Sequence, residues 1–218
     1  MEGKILEVHR RLLVQYGDKG KPGGRDPIAI LVSTILSQNT NDALRDRAFE
    51  RLRARFPTWE EVRDAPLEEV EEAIRVSGLS RQKALRIQKA LRRITEERGC
   101  LDLSFLRSMG VDEARKWLRA MDGIGPKTAA IILLFGLGMP AFPVDTHIFR
   151  VSKRLGLIPA KSTREKAHEI LEKLIPPDYY YSFHLNMIEH GRKICSPRNP
   201  KCQVCILNEL CDFHLERA

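Results

Sequence analysis

The sequence lacks the features that direct a protein into or across a membrane. Its 218 residues contain no run of 18 apolar residues, so no membrane span is predicted. The N-terminal residues do not resemble a secretory signal peptide. We therefore expect a cytoplasmic protein without a targeting signal, in a reducing compartment where free thiols persist.

The sequence also lacks any pattern typical of a β-strand, since no stretch alternates between apolar and polar residues over a strand's length. Apolar residues recur instead at helical spacing, as at Ala84, Ile87, Leu91 and Ile94 within a predicted helix over 81–98. Hydrophobic residues make up 43% of the chain, which is typical of a globular protein. We predict an all-α fold of about ten or eleven helices joined by short loops.

Acidic residues are too few to balance the basic ones. The chain has 37 Lys and Arg against 29 Asp and Glu, which gives a formal net charge of +8. Such a surplus favours a polyanionic partner, although an ordinary basic surface is the simpler explanation. Many basic residues lie on the predicted helix over 81–98. We expect most of them to face solvent, with Arg81 and Lys83 as candidates for contacts with phosphate.

Cysteine is scarce, and four of the five cysteines lie together as Cys195, Cys202, Cys205 and Cys211, spaced C-x6-C-x2-C-x5-C. Disulfides would leave Cys100 unpaired and would need an oxidising compartment. Structural zinc sites usually combine two C-x2-C pairs, and this segment contains one. Ligation by four cysteine thiolates is normal for a [4Fe–4S] cluster. We therefore predict such a cluster, with zinc and disulfides as the alternatives.

Residues 123–129, with the sequence GIGPKTA, join two predicted helices and favour a phosphate site. Gly123 and Gly125 permit a positive φ and leave backbone N–H groups uncovered, while Pro126 suits the first position of a helix. Lys127 then falls in the first turn of a helix that continues with apolar residues on all sides. The edge of a dry core and the positive end of a helix both favour a neutral, nucleophilic amine. A surface lysine with an extended side chain is the alternative.

Three further segments have local interpretations that compete with functional ones. Asp145 is a predicted helix N-cap. Residues 37–42, which include Gln38 and Asn39, form a polar turn between helices. Leu79 lies in a tight turn and either packs into the core or stays exposed.

Taken together, these segments resemble the endonuclease III family of DNA glycosylases. The cysteine spacing resembles the family's iron–sulfur loop, residues 123–129 its helix-hairpin-helix, and residues 144–147 its catalytic aspartate segment. The resemblance covers nearly the whole chain and implies two helical domains with a DNA-binding cleft between them. It places a central helical barrel at 26–140 and a second domain, with the cluster, at 1–25 plus 141–218.

The resemblance also implies a role for individual residues. Lys127 matches the family's nucleophile and Asp145 its catalytic carboxylate. Gln38 or Asn39 would fill the gap left by a flipped base, and Leu79 would enter the opposite strand. The other expected DNA contacts are Gly123, Gly125, Thr128, Arg198 and Lys201.

The implied function is base-excision DNA repair by a bifunctional DNA glycosylase and AP lyase. Such an enzyme removes oxidised pyrimidines and nicks the abasic site by β-elimination. The implied partner is double-stranded DNA with damaged bases or abasic sites, bound by a monomer at the nucleoid and not at a membrane. Because residues 37–42 depart from the most familiar family pattern, a glycosylase for uracil or thymine opposite guanine is one alternative. A non-catalytic DNA-binding module with a structural metal is another, against which Lys127 and Asp145 together argue.

Overall fold

A computed structural model describes residues 2–216, apart from the side chain of Glu2. Within this range the chain forms helices and turns and no β-strand, so the predicted all-α fold is confirmed. None of the helices described is both long and apolar enough to cross a membrane. The α-helices are α1 (Glu2–Tyr16), α2 (Pro27–Leu36), α3 (Asp42–Arg55), α4 (Trp59–Asp64), α5 (Leu67–Ile74), α6 (Ser80–Arg98), α7 (Val111–Arg119), α8 (Pro126–Ile131), α9 (Thr146–Arg154), α10 (Arg164–Leu174), α11 (Tyr180–Lys193) and α12 (Asp212–Leu215).

The chain divides into two compact units. One unit, here called the hairpin unit, is Gly23–Met139. The other, here called the tail unit, consists of Met1–Pro22 and Pro140–Ala218. Each unit buries its own set of apolar side chains.

Helix α2 is the most deeply buried helix of the hairpin unit. The Asp26 carboxylate accepts a hydrogen bond from the Ile28 N–H at 2.8 Å, and Pro27 occupies the first helical position. The helix packs against α3, α6 and the π-helical continuation of α8, Ile132–Gly136. Contacts on several sides explain why its sequence is apolar nearly all round. Its fully buried side chains include Ile28, Leu31, Val32, Ile35 and Leu36.

Helix α6 is the longest helix of the hairpin unit and packs against α2, α4 and α5. Its predicted apolar stripe is confirmed as buried, with Ile87, Leu91 and Ile94 completely shielded. Burial of each such side chain stabilises the fold by about 1.5–3 kcal/mol. Gly99 takes a left-handed conformation at the C-terminal end, with φ 76°, and ends the helix.

Helix α11 organises the tail unit because it packs against both α1 and α9. Its Phe183 is fully buried and meets the edge of Phe142, with 6.0 Å between ring centroids. Truncation of such a side chain to alanine costs about 3–5 kcal/mol. Gly191 allows the close approach of α9, since a Cβ there would lie 2.8 Å from the Cβ of His147. The start of α9 is thereby fixed against a rigid helix.

Candidate functional site

Residues 123–129 are here called the hairpin, and their two glycines, Gly123 and Gly125, have different conformations. Gly123 has φ 79°, and an added Cβ would lie 2.8 Å from Cδ of Arg86. Gly125 has an ordinary φ of −85°, and an added Cβ would meet no atom within 4 Å. The expectation that both glycines permit a positive φ is therefore correct only for Gly123. The fold requires glycine at 123, whereas at 125 it leaves the backbone uncovered.

Lys127 is the second residue of α8, and its side chain is exposed. The sequence interpretation placed this amine at the edge of a dry core. The next three residues, Thr128, Ala129 and Ala130, are buried, so the core begins directly after Lys127, but the lysine itself is exposed in the first turn. Thr128, one of the expected DNA contacts, is buried, with 7% of its surface exposed.

Gln38 and Asn39 are neighbours in the loop between α2 and α3, but their environments differ. The half-buried Gln38 donates from Nε2 to the carbonyl oxygen of Gly123 at 2.9 Å and accepts from Arg86 at 2.9 Å. Asn39 is exposed and has a left-handed backbone with φ 52°. The structure therefore gives Gln38 an internal linking contact and presents Asn39 to solvent.

Leu79 is also exposed and left-handed, with φ 49° and 56% of its side chain accessible. A core position for this leucine is excluded. For a non-glycine residue a left-handed conformation costs about 1–2 kcal/mol. Such strain persists only where the surroundings determine the conformation, and it is concentrated at functional sites.

Lys83 does not face phosphate, contrary to expectation. It is 1% exposed, and its Nζ donates to the carbonyl oxygens of Leu36 at 2.8 Å and Ser77 at 2.7 Å. Burial lowers the pKa of this lysine below its usual value. Its place on the face of Ile87 was a signal for burial that its charge obscured.

Asp145 lies in the tail unit as the N-cap of α9. Its Oδ1 accepts a hydrogen bond from the Ile148 N–H at 2.7 Å, which confirms the predicted cap. The preceding segment is also held, because Nδ1 of His184 donates to the carbonyl oxygen of Pro143 at 2.9 Å. His168 Nδ1 lies 3.1 Å from the carbonyl oxygen of Phe142. The carboxylate therefore projects from a backbone that is fixed on both sides.

The four clustered cysteines line one cavity of the tail unit together with His190 and Arg154. All five cysteines lie in the described residues and are free thiols, so the disulfide alternative is wrong. Three of the four are half-buried, and Cys211 is 9% exposed. In residues 2–216, no three or more His, Cys, Asp or Glu side chains lie close enough together to bind one metal ion.

The sulfur donors fit an iron–sulfur cluster. Arg154 donates to Sγ of Cys195 at 3.2 Å, and the Leu207 N–H donates to Sγ of Cys205 at 3.4 Å. Burial, and to a smaller degree the other cysteines, raises the pKa of Cys205 to about 11; burial also raises the pKa of Cys211. Thiolates held in such surroundings need a cationic centre to balance their charge.

His190 lies beside this cavity and is almost completely buried. Its Nε2 is 3.5 Å from Sγ of Cys205, and its Nδ1 is 3.0 Å from the Tyr16 hydroxyl. Burial lowers the pKa of His190 to about 4, so the ring is neutral at neutral pH. A neutral ring carries one N–H, which can be directed toward the sulfur.

The basic loop between Cys195 and Cys202 is held by side chains of the same unit. Arg154 donates to the carbonyl oxygens of Ser196 at 2.7 Å and Pro197 at 3.0 Å. The Ser196 hydroxyl donates to the carbonyl oxygen of Arg198 at 2.6 Å. Arg198 and Lys201 themselves are exposed. Sequence reasoning missed Arg154 because its position on α9 gives no indication of contact with the loop.

Two family profiles match the chain. The profile of the HhH-GPD superfamily of base excision DNA repair proteins covers residues 32–177, and that of the iron-sulfur binding domain of endonuclease III covers residues 195–211. The chain therefore belongs to the helix-hairpin-helix superfamily of base excision DNA repair proteins, and within it to the endonuclease III family. As a member it carries a [4Fe–4S] cluster. The matched iron-sulfur segment begins at Cys195, ends at Cys211 and contains all four clustered cysteines.

The similarity to endonuclease III extends over nearly the whole of both chains. The chain is 38% identical to endonuclease III of Thermotoga maritima over 214 residues, which are 98% of this chain and 95% of that one. It is 41% identical over 166 residues to a candidate DNA glycosylase of Arabidopsis thaliana, which are 76% of this chain but 56% of the plant protein. A solved non-covalent complex of endonuclease III with DNA superposes with a TM-score of 0.84 at 30% identity and covers 100% of this chain and 98% of that one.

Proposed function

We propose that the protein is a bifunctional DNA glycosylase and AP lyase that removes oxidised pyrimidines from double-stranded DNA. It acts as a monomer on damaged bases and abasic sites in the cytoplasm, at the nucleoid. Its functional domains are 26–140 and 1–25 plus 141–218. Membership of the endonuclease III family supports the activity. The observation that carries the proposal is the exposed primary amine of Lys127 on the first turn of α8, directly after the hairpin.

The hairpin binds the DNA backbone. Gly125 leaves the N-terminal end of α8 uncovered, and the positive end of a helix favours a phosphate group. Contacts of this kind position the protein on DNA without reading sequence. Exposed Arg198 and Lys201 add cationic contacts from the loop that the cluster anchors.

Two exposed turns of the hairpin unit enter the DNA stack. The target nucleotide is flipped out of the duplex, which costs unstacking energy. Asn39 fills the space that the base leaves, in preference to Gln38, whose amide is engaged by Gly123 and Arg86. Leu79 inserts its apolar side chain on the opposite strand, which its exposure permits.

Lys127 performs the covalent chemistry. Its deprotonated Nζ bonds to C1′ of the deoxyribose while the bond from C1′ to the base breaks, and the base leaves with the bonding electrons. Opening of the sugar ring gives an imine between Nζ and C1′. Removal of a proton from C2′ then breaks the bond from C3′ to its phosphate oxygen, and hydrolysis releases the lysine.

Asp145 supports the same steps from the start of α9. Its carboxylate stabilises the positive charge that develops on the sugar and helps to move protons.

The [4Fe–4S] cluster anchors the C-terminal loop. The cluster would be held by four thiolates, those of Cys195, Cys202, Cys205 and Cys211. The exposed cations of the loop, Arg198 and Lys201, contact phosphates.

Borohydride trapping tests the proposal. Wild-type protein mixed with a duplex that contains one abasic site should give a covalent adduct, because borohydride reduces the imine. Lys127→Gln should give no adduct while it still binds the duplex. Lys116→Gln removes the same charge from an exposed position on α7 and should be trapped like the wild type. Undiminished trapping of Lys127→Gln would refute the assignment.

A further inference from the structure

The hairpin unit contains a buried lysine without an acidic partner. Lys83 is 1% exposed, and among residues 2–216 its Nζ is held only by the carbonyl oxygens of Leu36 and Ser77. Burial of an ammonium group is costly unless it is well hydrogen-bonded. A leucine or methionine at this position of α6 would avoid the cost. The structural role of Lys83 must therefore be sought in the two carbonyl groups to which it donates.

Both carbonyl oxygens lie at the ends of helices. Leu36 is the last residue of α2, and Ser77 is the last residue of the 3-10 helix Arg75–Ser77. Carbonyl groups at helix C-termini lack partners within the helix and attract a cation. One nitrogen atom thus joins the ends of two helices that are separated by 47 and 6 positions from Lys83 in the sequence.

Each of these helix ends leads directly into an exposed turn with a left-handed residue. Asn39, three positions beyond Leu36, has φ 52°, and Leu79, two positions beyond Ser77, has φ 49°. Asn199 is the only other non-glycine residue with a positive φ in the described chain. Both turns held by Lys83 therefore contain a left-handed residue. Asparagine adopts this conformation readily, but for Leu79 it is unfavourable and needs fixed surroundings.

One turn further along α6, Arg86 reinforces the first of these contacts. Its guanidinium donates to Gln38, which in turn donates to the carbonyl oxygen of Gly123 in the hairpin. Side chains three positions apart lie on the same side of a helix. One side of α6 therefore positions the loop with Asn39, the turn with Leu79 and the hairpin.

We propose that Lys83 is a positioning residue that fixes the spacing between the two turns that enter DNA. The proposal rests on the proposed function, since it assumes that Asn39 and Leu79 both enter the duplex. Extrusion of a paired nucleotide costs unstacking and unpairing energy, which side chains from the two turns together would offset. A small displacement of either turn would therefore slow base release at a paired lesion, as small errors of position do in other active sites.

The test compares Lys83→Met with the wild type on two substrates. Methionine preserves most of the side-chain volume but cannot donate to either carbonyl group. One substrate is a duplex with a thymine glycol opposite adenine, and the other holds the same lesion in a one-nucleotide bulge with no opposite base. On the paired lesion, single-turnover base release should slow by about 10- to 100-fold. On the bulge, where no base pair must open, it should slow less than about threefold.

Two results would overturn the proposal. An equal loss on both substrates would mean that Lys83 only supports the fold, and full activity of folded Lys83→Met on the paired lesion would mean that it positions nothing. Lys89→Met is the matched control, because it removes the same charge from an exposed position of α6 and should leave both rates unchanged. If Lys83→Met does not fold, Lys83→Arg, which retains the donors on a bulkier group, is compared on the same two substrates.

A second measurement separates this inference from the proposed function. In a Leu79→Ala background, Lys83→Met should slow the paired lesion by less than it does in the wild type, because the turn that it positions no longer acts. Borohydride trapping of the wild type is measured in parallel. Absence of the wild-type adduct would contradict the proposed function, whereas a normal adduct with equal effects of Lys83→Met in both backgrounds would contradict only the role of Lys83.

Discussion

Helices α8 and α9 begin differently, although each carries one proposed catalytic residue in or next to its first turn. Helix α8 of the hairpin unit follows Gly125, and no side chain in the described residues caps it. Helix α9 of the tail unit follows Asp145, whose carboxylate accepts the Ile148 N–H at 2.7 Å. The positive end of α8 is thus left for an external anion, and that of α9 is occupied by the protein's own anion.

The same contrast extends to the surrounding residues. In the tail unit, polar side chains satisfy internal groups, as Arg154 does for Ser196 and Pro197. In the hairpin unit, Asn39 and Leu79 are exposed to solvent in left-handed conformations. Substitutions at the open positions of the hairpin unit should therefore change DNA binding with little effect on stability. Substitutions that remove internal contacts of the tail unit should disturb the segments that those contacts hold in place.

The largest effect is expected for Asp145→Asn. Asparagine keeps a side-chain oxygen for the Ile148 N–H, so the free energy of unfolding should change by less than about 1 kcal/mol. Removal of the negative charge should slow single-turnover base release by about 100-fold or more. Asp145→Ala, which also removes the cap, should lose about 1 kcal/mol of stability in addition. Full glycosylase activity of Asp145→Asn would restrict this residue to its capping role.

The next effect separates the two hairpin glycines. Gly125→Leu should weaken binding to all DNA sequences alike, by about tenfold, because the side chain would cover a backbone that contacts phosphate. Its melting temperature should stay close to that of the wild type, since φ is −85° and a Cβ meets no atom within 4 Å. Binding by fluorescence anisotropy and thermal unfolding together measure both quantities.

Gly123→Ala is the matched variant and should behave in the opposite way. With φ 79° and a Cβ 2.8 Å from Cδ of Arg86, it should lose about 1–2 kcal/mol of unfolding free energy. If Gly125→Leu were destabilised equally, the uncovered backbone at 125 would be a requirement of the fold and not a phosphate site.

The sequence predicted the elements that depend on local patterns. A buried stripe at helical spacing located α6, and Asp145 marked the start of α9 by N-capping. It failed where tertiary contacts decide. Lys83 was a candidate for a phosphate contact, but its position on the face of Ile87 buries it, and the carbonyl groups of Leu36 and Ser77 make that burial tolerable.

The conformations of individual turns also could not be predicted from the sequence. Leu79 could equally have packed into the core, and only the structure shows it exposed with φ 49°. Neither amide of the α2–α3 loop could be preferred, because the contact that engages Gln38 comes from a hairpin carbonyl group 85 residues away. For Lys127, the run of apolar residues that follows it suggested a dry environment, but the lysine lies in the first turn of α8, where its side chain is exposed.

A smaller effect is expected for Arg154→Met in the tail unit. The substitution removes the hydrogen bonds to Sγ of Cys195 and to the carbonyl oxygens of Ser196 and Pro197. Because the loop with Arg198 and Lys201 would then be less ordered, DNA affinity should fall by about three- to tenfold, the loss of about 1 kcal/mol of binding free energy. Anisotropy measures the affinity, and Lys161→Met, at an exposed position, is the control for charge. Unchanged affinity would show that these internal contacts do not support the loop.

The smallest effect concerns the hydrogen bonds between Tyr16, His190 and Cys205. The hydroxyl of Tyr16 lies 3.0 Å from Nδ1 of His190, and Nε2 of that ring lies 3.5 Å from Sγ of Cys205. A hydroxyl that donates to Nδ1 places the ring proton on Nε2, where it can donate to the sulfur.

Tyr16→Phe removes this constraint, so the ring can carry its proton on Nδ1 instead. A hydrogen bond to a cluster thiolate stabilises the reduced cluster, and the reduction potential should therefore fall by a few tens of millivolts, roughly the equivalent of one such bond. Protein-film voltammetry measures the potential, while DNA affinity should remain within about twofold of the wild type because no loop contact changes. An unchanged potential would mean that His190 does not donate to Cys205 and serves only as a buried ring between α1 and the cysteine cavity.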